Sequence, residues 1–336
     1  MKTNRVVILG DGGWGTALAI VNERRGNDVL LWSAFPDYAK VLKEKRENIK
    51  FLPGVPLSSK IRISADLKEA ILFGDIILLA IPSQFLRNIL HKLKELPFQK
   101  KIFVSVAKGI EKKTCLRPSE IIQTILGGET PVVVLSGPSH AEEVARGFPT
   151  LVVVASKNEK DATYVQQAIK DTYFRVYVQY DMIGAEMGGA LKNVIAIAAG
   201  VCDGLKYGDN TKAGLISRGL LEMARLGIRM GASPNTFYGL SGLGDLVATC
   251  FSPYGRNLRV GYELGEGKKI NEILSKMEMV AEGVDTAWSV QELNRRVHLE
   301  LPVMGEVYKI LFEHKAPRQA VEDLLNRDVH QELKQY

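Results

Sequence analysis

Cysteine is scarce in this chain: Cys115, Cys202 and Cys250 are the three among 336 residues. They are odd in number, widely separated and outside any C-x-x-C spacing, so neither a disulfide framework nor a structural zinc site is indicated. No metal is expected. Long hydrophobic runs are missing too, since no apolar stretch approaches the length that spans a bilayer. Met1-Lys2-Thr3 passes almost at once into the strand-like Val6-Val7-Ile8-Leu9, leaving no room for a secretory h-region. A large excess of one charge is also lacking, because 44 Lys and Arg against 38 Asp and Glu give a formal net charge of +6. The bases interleave with acids, as in Lys43-Glu44-Lys45-Arg46-Glu47, which reads as solvated helix faces and not as a nucleic-acid surface. The expectations are a cytoplasmic protein, no integral membrane association and no nucleic-acid partner.

What the chain does have is alternation. Nearly continuous apolar runs of strand length recur at Val6 to Leu9, Val29 to Trp32, Ile61 to Ile63, Ile76 to Ala80, Ile102 to Val106, Val132 to Leu135, Leu151 to Ala155 and Phe174 to Val178. Such runs belong to strands covered on both faces. Between them, stretches such as Thr16 to Arg25, Ser83 to Leu96 and Asp161 to Lys170 have helical length and spacing. Strand and helix in alternation predict a largely parallel sheet. After about Asp181 the strand signal fades, and Ala185 to Val201, Leu215 to Gly227, Arg256 to Leu264, Thr286 to Arg296 and Met304 to Phe312 read as helices. The predicted class is α/β, a doubly wound sheet over residues 1–182 followed by an all-α domain over 183–336, with a ligand site expected where two such domains join.

Gly10-Asp11-Gly12-Gly13-Trp14-Gly15 fits G-x-G-x-x-G, follows the first apolar strand directly and opens a helix. Gly10 permits the tight turn, Gly12 lets backbone amides approach a pyrophosphate, and Gly15 allows close helix–strand packing. A dinucleotide is the expected cofactor. The second strand ends at Leu31-Trp32-Ser33-Ala34, without the acid that normally holds a ribose 2'-hydroxyl and without an arginine for a 2'-phosphate. Asp37, close by, reads as a helix-start residue beside Pro36. With the excluding carboxylate missing, NADP is favoured over NAD.

Leu191-Lys192-Asn193-Val194-Ile195-Ala196-Ile197-Ala198-Ala199 places an ammonium inside a run that otherwise reads as buried helix. Burying a lysine is costly unless it is paired or gives up its proton, which points to a site of proton transfer. Lys108 stands at the carboxyl end of a strand, where open α/β sheets bind ligands. Ser136-Gly137-Pro138-Ser139-His140 follows the next strand, with Ser139 placed to cap the following helix. Gly242-Leu243-Gly244-Asp245-Leu246 holds a carboxylate in a glycine-rich turn, and Tyr254-Gly255-Arg256-Asn257 offers a forked cation suited to phosphate.

The glycine loop through Thr16-Ala17-Leu18-Ala19, Asn48-Ile49-Lys50-Phe51-Leu52-Pro53, Ala107-Lys108-Gly109, Ser136-Gly137-Pro138-Ser139, Leu191-Lys192-Asn193-Val194-Ile195-Ala196, Gly242-Leu243-Gly244-Asp245-Leu246 and Gly255-Arg256-Asn257 together resemble the bacterial NAD(P)-dependent glycerol-3-phosphate dehydrogenases, from the first strand to about Ala320. That resemblance implies a Rossmann-type domain and reversible reduction of dihydroxyacetone phosphate to sn-glycerol 3-phosphate with NAD(P)H, supplying phospholipid synthesis. It makes Lys192 the catalytic acid and base, with Lys108 and Asp245 beside it. Lys108, Gly137, Ser139, Lys192, Asp245, Arg256 and Asn257 would line the substrate. Gly10, Gly12, Gly13, Trp14, Gly15, Lys108, Ala141, Arg256, Val280 and Glu282 would contact the cofactor. The partner expected is this small molecule, with a homodimer left open as the assembly. Two positions depart from the pattern: His140 stands where an apolar residue is more familiar, and Ala34 replaces a basic or polar one.

Physical chemistry agrees with these roles. Hydride addition to a ketone builds negative charge on oxygen, which an ammonium stabilises and then protonates. Burial and Lys108 would lower the Lys192 pKa towards roughly 7 to 8, while Asp245 would hold its charged form. A 3-hydroxyacid or 6-phosphogluconate type of dehydrogenase would place an asparagine four residues after its lysine, where this chain has Ala196. A cofactor-binding sensor without turnover is the reading from another class.

Overall fold

The computed structural model describes residues 3–328. In chain order come β1 (Arg5–Leu9), α1 (Gly13–Arg24), β2 (Asp28–Trp32), α2 (Pro36–Lys45), the short hairpin of β3 (Glu47–Asn48) and β4 (Leu52–Pro56), β5 (Arg62–Ser64) and α3 (Leu67–Phe73). They are followed by β6 (Ile76–Leu79), α4 (Ser83–Lys94), β7 (Ile102–Ser105), α5 (Pro118–Leu126), β8 (Val132–Ser136), α6 (Ala141–Ala145), β9 (Thr150–Ala155), α7 (Glu159–Ile169) and β10 (Phe174–Gln179). Helices complete the chain: α8 (Met182–Gly204), α9 (Asp209–Arg229), α10 (Asp245–Phe251), α11 (Arg256–Gly265), α12 (Ile270–Ser275), α13 (Glu282–Val297), α14 (Pro302–Phe312) and α15 (Pro317–Leu325). The α/β class and its order of sheet then helices are those read from the sequence.

Eight strands form one sheet in the order β10-β9-β8-β7-β6-β1-β2-β5. All neighbours are parallel except β8 and β9, which run antiparallel. The apolar runs are continuous because both faces are covered. Val6 and Ile8 of β1 join one core with Ala17, Leu18 and Val21 of α1. Val7 and Leu9 point the other way, into a second core with Leu86 and Leu90 of α4 and Ile121 of α5. Strand order reverses at β1, flanked by β2 on one side and β6 on the other, which makes the carboxyl end of β1 the switch point where such sheets bind ligands.

The described chain divides into two compact units. One takes residues up to Lys108 together with 116–186, and the other takes 109–115 together with the residues from Met187 onward. In the first unit the buried Glu186 carboxylate closes the N-terminus of α5, accepting from the Ser119 amide at 2.8 Å, the Ser119 hydroxyl at 2.7 Å and the Arg117 guanidinium at 2.5 Å. In the second unit the segment 109–115 is tied down by bonds from Ser289 Oγ to the Ile110 carbonyl and from Cys115 Sγ to the Ser289 carbonyl. Helix α8 is the one described helix long and apolar enough to cross a membrane, and 94% of its apolar window is buried inside the chain.

A second buried acid caps a helix in the second unit. Glu222 on α9 accepts from the amides of Val303 and Met304 at 2.8 and 3.0 Å, at the open N-terminus of α14. Burial pushes its carboxyl up from 4.5 to about 7, against the pull of those two amides and of Arg225 and Arg218. A raised folded-state value means that folding favours the protonated acid. Its stabilising contribution is complete below 4.5 and is lost as pH rises through about 7. Thermal unfolding from pH 4 to 8 should therefore show a fall in stability across that interval, and Glu222→Gln should remove this component whatever its absolute stability. An unchanged slope in the variant would refute the assignment.

Candidate active site

The glycine loop sits at the switch point. Gly10 has φ +116°, and a Cβ there would meet the Ala80 carbonyl oxygen at 2.4 Å. A Cβ on Gly15 would meet the Gly10 carbonyl oxygen at 1.9 Å, so α1 can lie this close to its strand only with glycine. Gly12 differs: a Cβ there would meet nothing within 4 Å. It is the N-cap of α1, without a side-chain cap and without an acid in the first turn. A cradle of this kind fits the pyrophosphate of a dinucleotide. Trp14, in the same loop, has a buried indole N–H with no hydrogen-bond partner. Ala141 lies 3.6 Å from the Cβ position of Gly13, which brings two of the residues expected at the cofactor together.

The loop is held from below by Asn48, Tyr38 and Ser33. Asn48, fully buried, donates to the Asp11 carbonyl oxygen and to Thr16 Oγ1, both at 2.7 Å. Its own amide oxygen accepts from the Tyr38 hydroxyl at 2.7 Å and from the Phe51 amide at 3.0 Å. The Asp11 side chain accepts from Ser33 Oγ at 2.6 Å. Burial pushes the Asp11 carboxyl up, while Ser33, its own amide and Lys50 pull it down. Asp37 is nearly fully exposed at the start of α2 and pairs with Lys40 at 3.4 Å, as expected of a helix-start residue.

In the first unit Lys108 Nζ donates to the Gly137 carbonyl at 2.8 Å and to Ser139 Oγ at 3.2 Å. The structure so gathers three expected substrate residues at the carboxyl ends of β7 and β8. The capping role expected for Ser139 is corrected: its hydroxyl also donates to the Gly137 carbonyl at 3.1 Å, and the N-cap of α6 is His140, which makes no side-chain cap. The turn at Gly137, with φ +128°, curls the chain so that Ser139 faces back to the strand end and misses the helix amides.

In the second unit Lys192 is 5% exposed on α8. Its ammonium donates to Asp245 Oδ1 at 2.6 Å and to Thr249 Oγ1 at 2.5 Å. Asp245 and Thr249 lie one turn apart on α10, and the Thr249 hydroxyl donates back to the Asp245 carbonyl at 2.6 Å, fixing its rotamer. The preceding wide turn, Leu240–Gly244, reaches α8 at Gly188, where a Cβ would stand 2.3 Å from the Ser241 carbonyl oxygen. Cys250 is buried beside this group, and burial pushes its thiol up to about 12 despite Lys192 and Lys212, which leaves it unreactive. Among the described residues no cluster of three or more His, Cys, Asp or Glu is placed to hold a metal ion.

Arg256 and Asn257 open α11 in the same unit. Arg256 donates to the Val280 carbonyl at 2.8 Å, and Asn257 Oδ1 accepts from the Gly283 amide at 3.0 Å. They are thus bound to the segment bearing Val280 and Glu282, the latter in the first turn of α13. Asn193, beside Lys192, spends its carboxamide on the Gly189 carbonyl at 3.4 Å, and its own carbonyl lies against Gly283. Thr249 and Asn48 are the residues that reading the sequence missed. Asn48 stands in a motif quoted for the resemblance, and Thr249 is signalled only by its spacing of four from Asp245.

The Lys192–Asp245 pair carries its own stability signature. Asp245→Leu leaves an ammonium buried without its carboxylate and should lower the unfolding free energy by about 3 kcal/mol, whereas Lys192→Met combined with Asp245→Leu should recover most of that loss. A thermal-melt double-mutant cycle checks this, and additive losses would contradict it.

Two family models match the chain: the NAD-dependent glycerol-3-phosphate dehydrogenase N-terminus over residues 5–162 and the C-terminus of the same family over residues 181–322. A glycerol-3-phosphate dehydrogenase [NAD(P)+] of Chlorobium phaeobacteroides is 46% identical over 98% of this chain and 99% of its own length. One from Fusobacterium nucleatum is 44% identical over 99% of each. A crystal structure of glycerol-3-phosphate dehydrogenase from Coxiella burnetii superposes with a TM-score of 0.93 at 39% identity, covering 97% of this chain and 99% of that one. With both ends of one family matched in order and relatives aligned almost end to end, the chain belongs to the NAD-dependent glycerol-3-phosphate dehydrogenases.

Proposed function

We propose that this protein reduces dihydroxyacetone phosphate to sn-glycerol 3-phosphate with NAD(P)H, reversibly, as a cytoplasmic enzyme that supplies phospholipid synthesis. Residues 1–182 serve as the dinucleotide domain and 183–336 as the substrate domain. The observation that carries the reading is the buried Lys192 ammonium, held at 2.6 Å from Asp245 and 2.5 Å from Thr249. A solvated surface lysine would need neither partner.

Bound at the glycine loop, the nicotinamide cofactor supplies the hydride. The uncapped amides at Gly12 and after it, together with Trp14 and Ala141, hold the dinucleotide. Lys192 hydrogen-bonds the substrate carbonyl oxygen, stabilises the charge that grows there as the carbon is reduced, and gives it a proton. In the reverse direction the same nitrogen takes the proton back. Asp245 fixes the ammonium and opposes the desolvation that would discharge it. Lys108, held by Gly137 and Ser139, adds a second positive charge for an anionic substrate. Arg256 and Asn257 take the phosphate, so that much of the binding energy comes from the end of the substrate that does not react.

Lys192→Ala should lower kcat about a thousandfold while leaving NAD(P)H affinity almost unchanged. Arg256→Ala should instead raise the KM for dihydroxyacetone phosphate by about 10- to 100-fold. Steady-state rates beside fluorescence titration of the reduced nucleotide separate the two effects. Equal losses of cofactor binding in both variants would overturn the residue assignment, and faster turnover of 3-hydroxyacids than of glycerol 3-phosphate would overturn the substrate.

A further inference from the structure

We infer that Asp11 selects between the two nicotinamide cofactors, in favour of NADH, by supplying from the glycine loop the carboxylate that is missing from the end of β2. The inference deepens the cofactor reading above and rests on it. The end of β2 offers only Trp32, Ser33 and Ala34, none of them an acid. Yet Ser33, the first residue beyond that strand, donates its hydroxyl to Asp11 Oδ2 at 2.6 Å. The fold therefore sets a carboxylate against the strand end where dinucleotide folds recognise the adenosine ribose, although it arrives from a different part of the chain.

This placement is firm. The Gly10 amide donates to the Trp32 carbonyl at 3.0 Å, which ties the glycine turn to the end of β2. Asn48 holds the Asp11 carbonyl at 2.7 Å, so the backbone beneath the carboxylate is fixed as well. Ser33 Oγ accepts from the Phe35 amide at 3.1 Å, and of its two acceptors Asp11 Oδ2 at 2.6 Å is nearer than the Phe35 carbonyl at 3.2 Å. Asp11 is 5% exposed, so its charge is weakly screened by solvent. A carboxylate in this position accepts a hydrogen bond from a ribose 2'-hydroxyl and repels the dianion of a 2'-phosphate. The cation acting on Asp11 is Lys50, whose ammonium lies over the Phe51 ring at 5.2 Å from its centroid. Asp37, the first acid after the end of β2, points into solvent and is engaged with Lys40.

Isothermal titration of the intact protein with NADH and with NADPH tests this without turnover. The unaltered protein should bind NADH about tenfold or more tightly than NADPH, and Asp11→Asn should shrink that ratio by about tenfold, mainly by improving NADPH. Asp11→Asn keeps the shape and can still accept from Ser33, so a carboxylate with only a tethering role would leave the ratio unchanged. Equal binding of the two nucleotides by the unaltered protein, a preference for NADPH, or an Asp11→Asn variant that weakens both alike would each overturn the inference. Failure of either nucleotide to bind at all would overturn the cofactor site itself, and the inference with it.

Discussion

The Lys192 ammonium can stay buried because α10 presents a carboxylate and a hydroxyl one helical turn apart, both aimed at the same nitrogen. Leu191, Val194 and Ile195 on α8 are wholly buried, so the helix has no freedom to roll Lys192 outward without exposing them. On the other helix, Thr249 bonds to the Asp245 carbonyl, which locks its side chain and leaves its oxygen to accept from Lys192. Two regular helices thus carry the three polar atoms, and their spacing follows from helix geometry instead of loop conformation. Gly188 allows the turn before α10 to approach α8 backbone to backbone, and a side chain there would drive the pair apart.

The first unit solves a different problem by different means. In the proposed function it presents backbone amides to an anion, so the working atoms would belong to the backbone and the side chains would serve as supports. Gly12 leaves one flank of the helix start open, while Asn48 and Thr16 fix the carbonyl just before it. Asn48 is fully buried and uses both ends of its carboxamide, the condition under which a buried polar group stabilises one conformation. The short hairpin of β3 and β4 has its reason here: it brings Asn48 under the glycine turn and sets the Phe51 carbonyl against Gly13.

The sequence told most about what depends on neighbours along the chain. Runs such as Val6 to Leu9 and Ile76 to Leu79 are legible as strands because both faces are covered and no alternation is needed, and Gly10 to Gly15 is legible because strand, turn and helix follow without a break. The antiparallel pairing of β8 with β9 was not legible, since Leu151 to Ala155 has the same apolar character as the parallel strands before it. Ser139 was misread for a related reason. A serine before a helix looks like a cap, and only the positive φ at Gly137 turns its hydroxyl towards Lys108. Contacts between distant segments are not legible from the residues alone: the pairing of Lys192 with Asp245, 53 residues apart, came from the family resemblance, and that of Asp11 with Ser33, 22 apart, was not foreseen. The sequence shows no acid at the end of β2 itself, and the Asp11 carboxylate that Ser33 meets there comes from the neighbouring loop.

The two lysines of the proposed chemistry are held in contrasting ways, and the contrast accounts for a division of labour. Lys108 donates to a carbonyl and a hydroxyl, both of them neutral acceptors. Lys192 donates to a carboxylate, so the pair as a whole is close to neutral. An anionic substrate is attracted by positive charge, whereas proton exchange asks for a group whose two protonation states lie close in energy. Burial penalises the ammonium of Lys192 and Asp245 favours it, so these two large effects work against each other at one nitrogen. In the proposed reaction, which runs in both directions, this nitrogen is acid in one and base in the other, and the burial of Lys192 and the carboxylate beside it pull on its protonation in opposite senses.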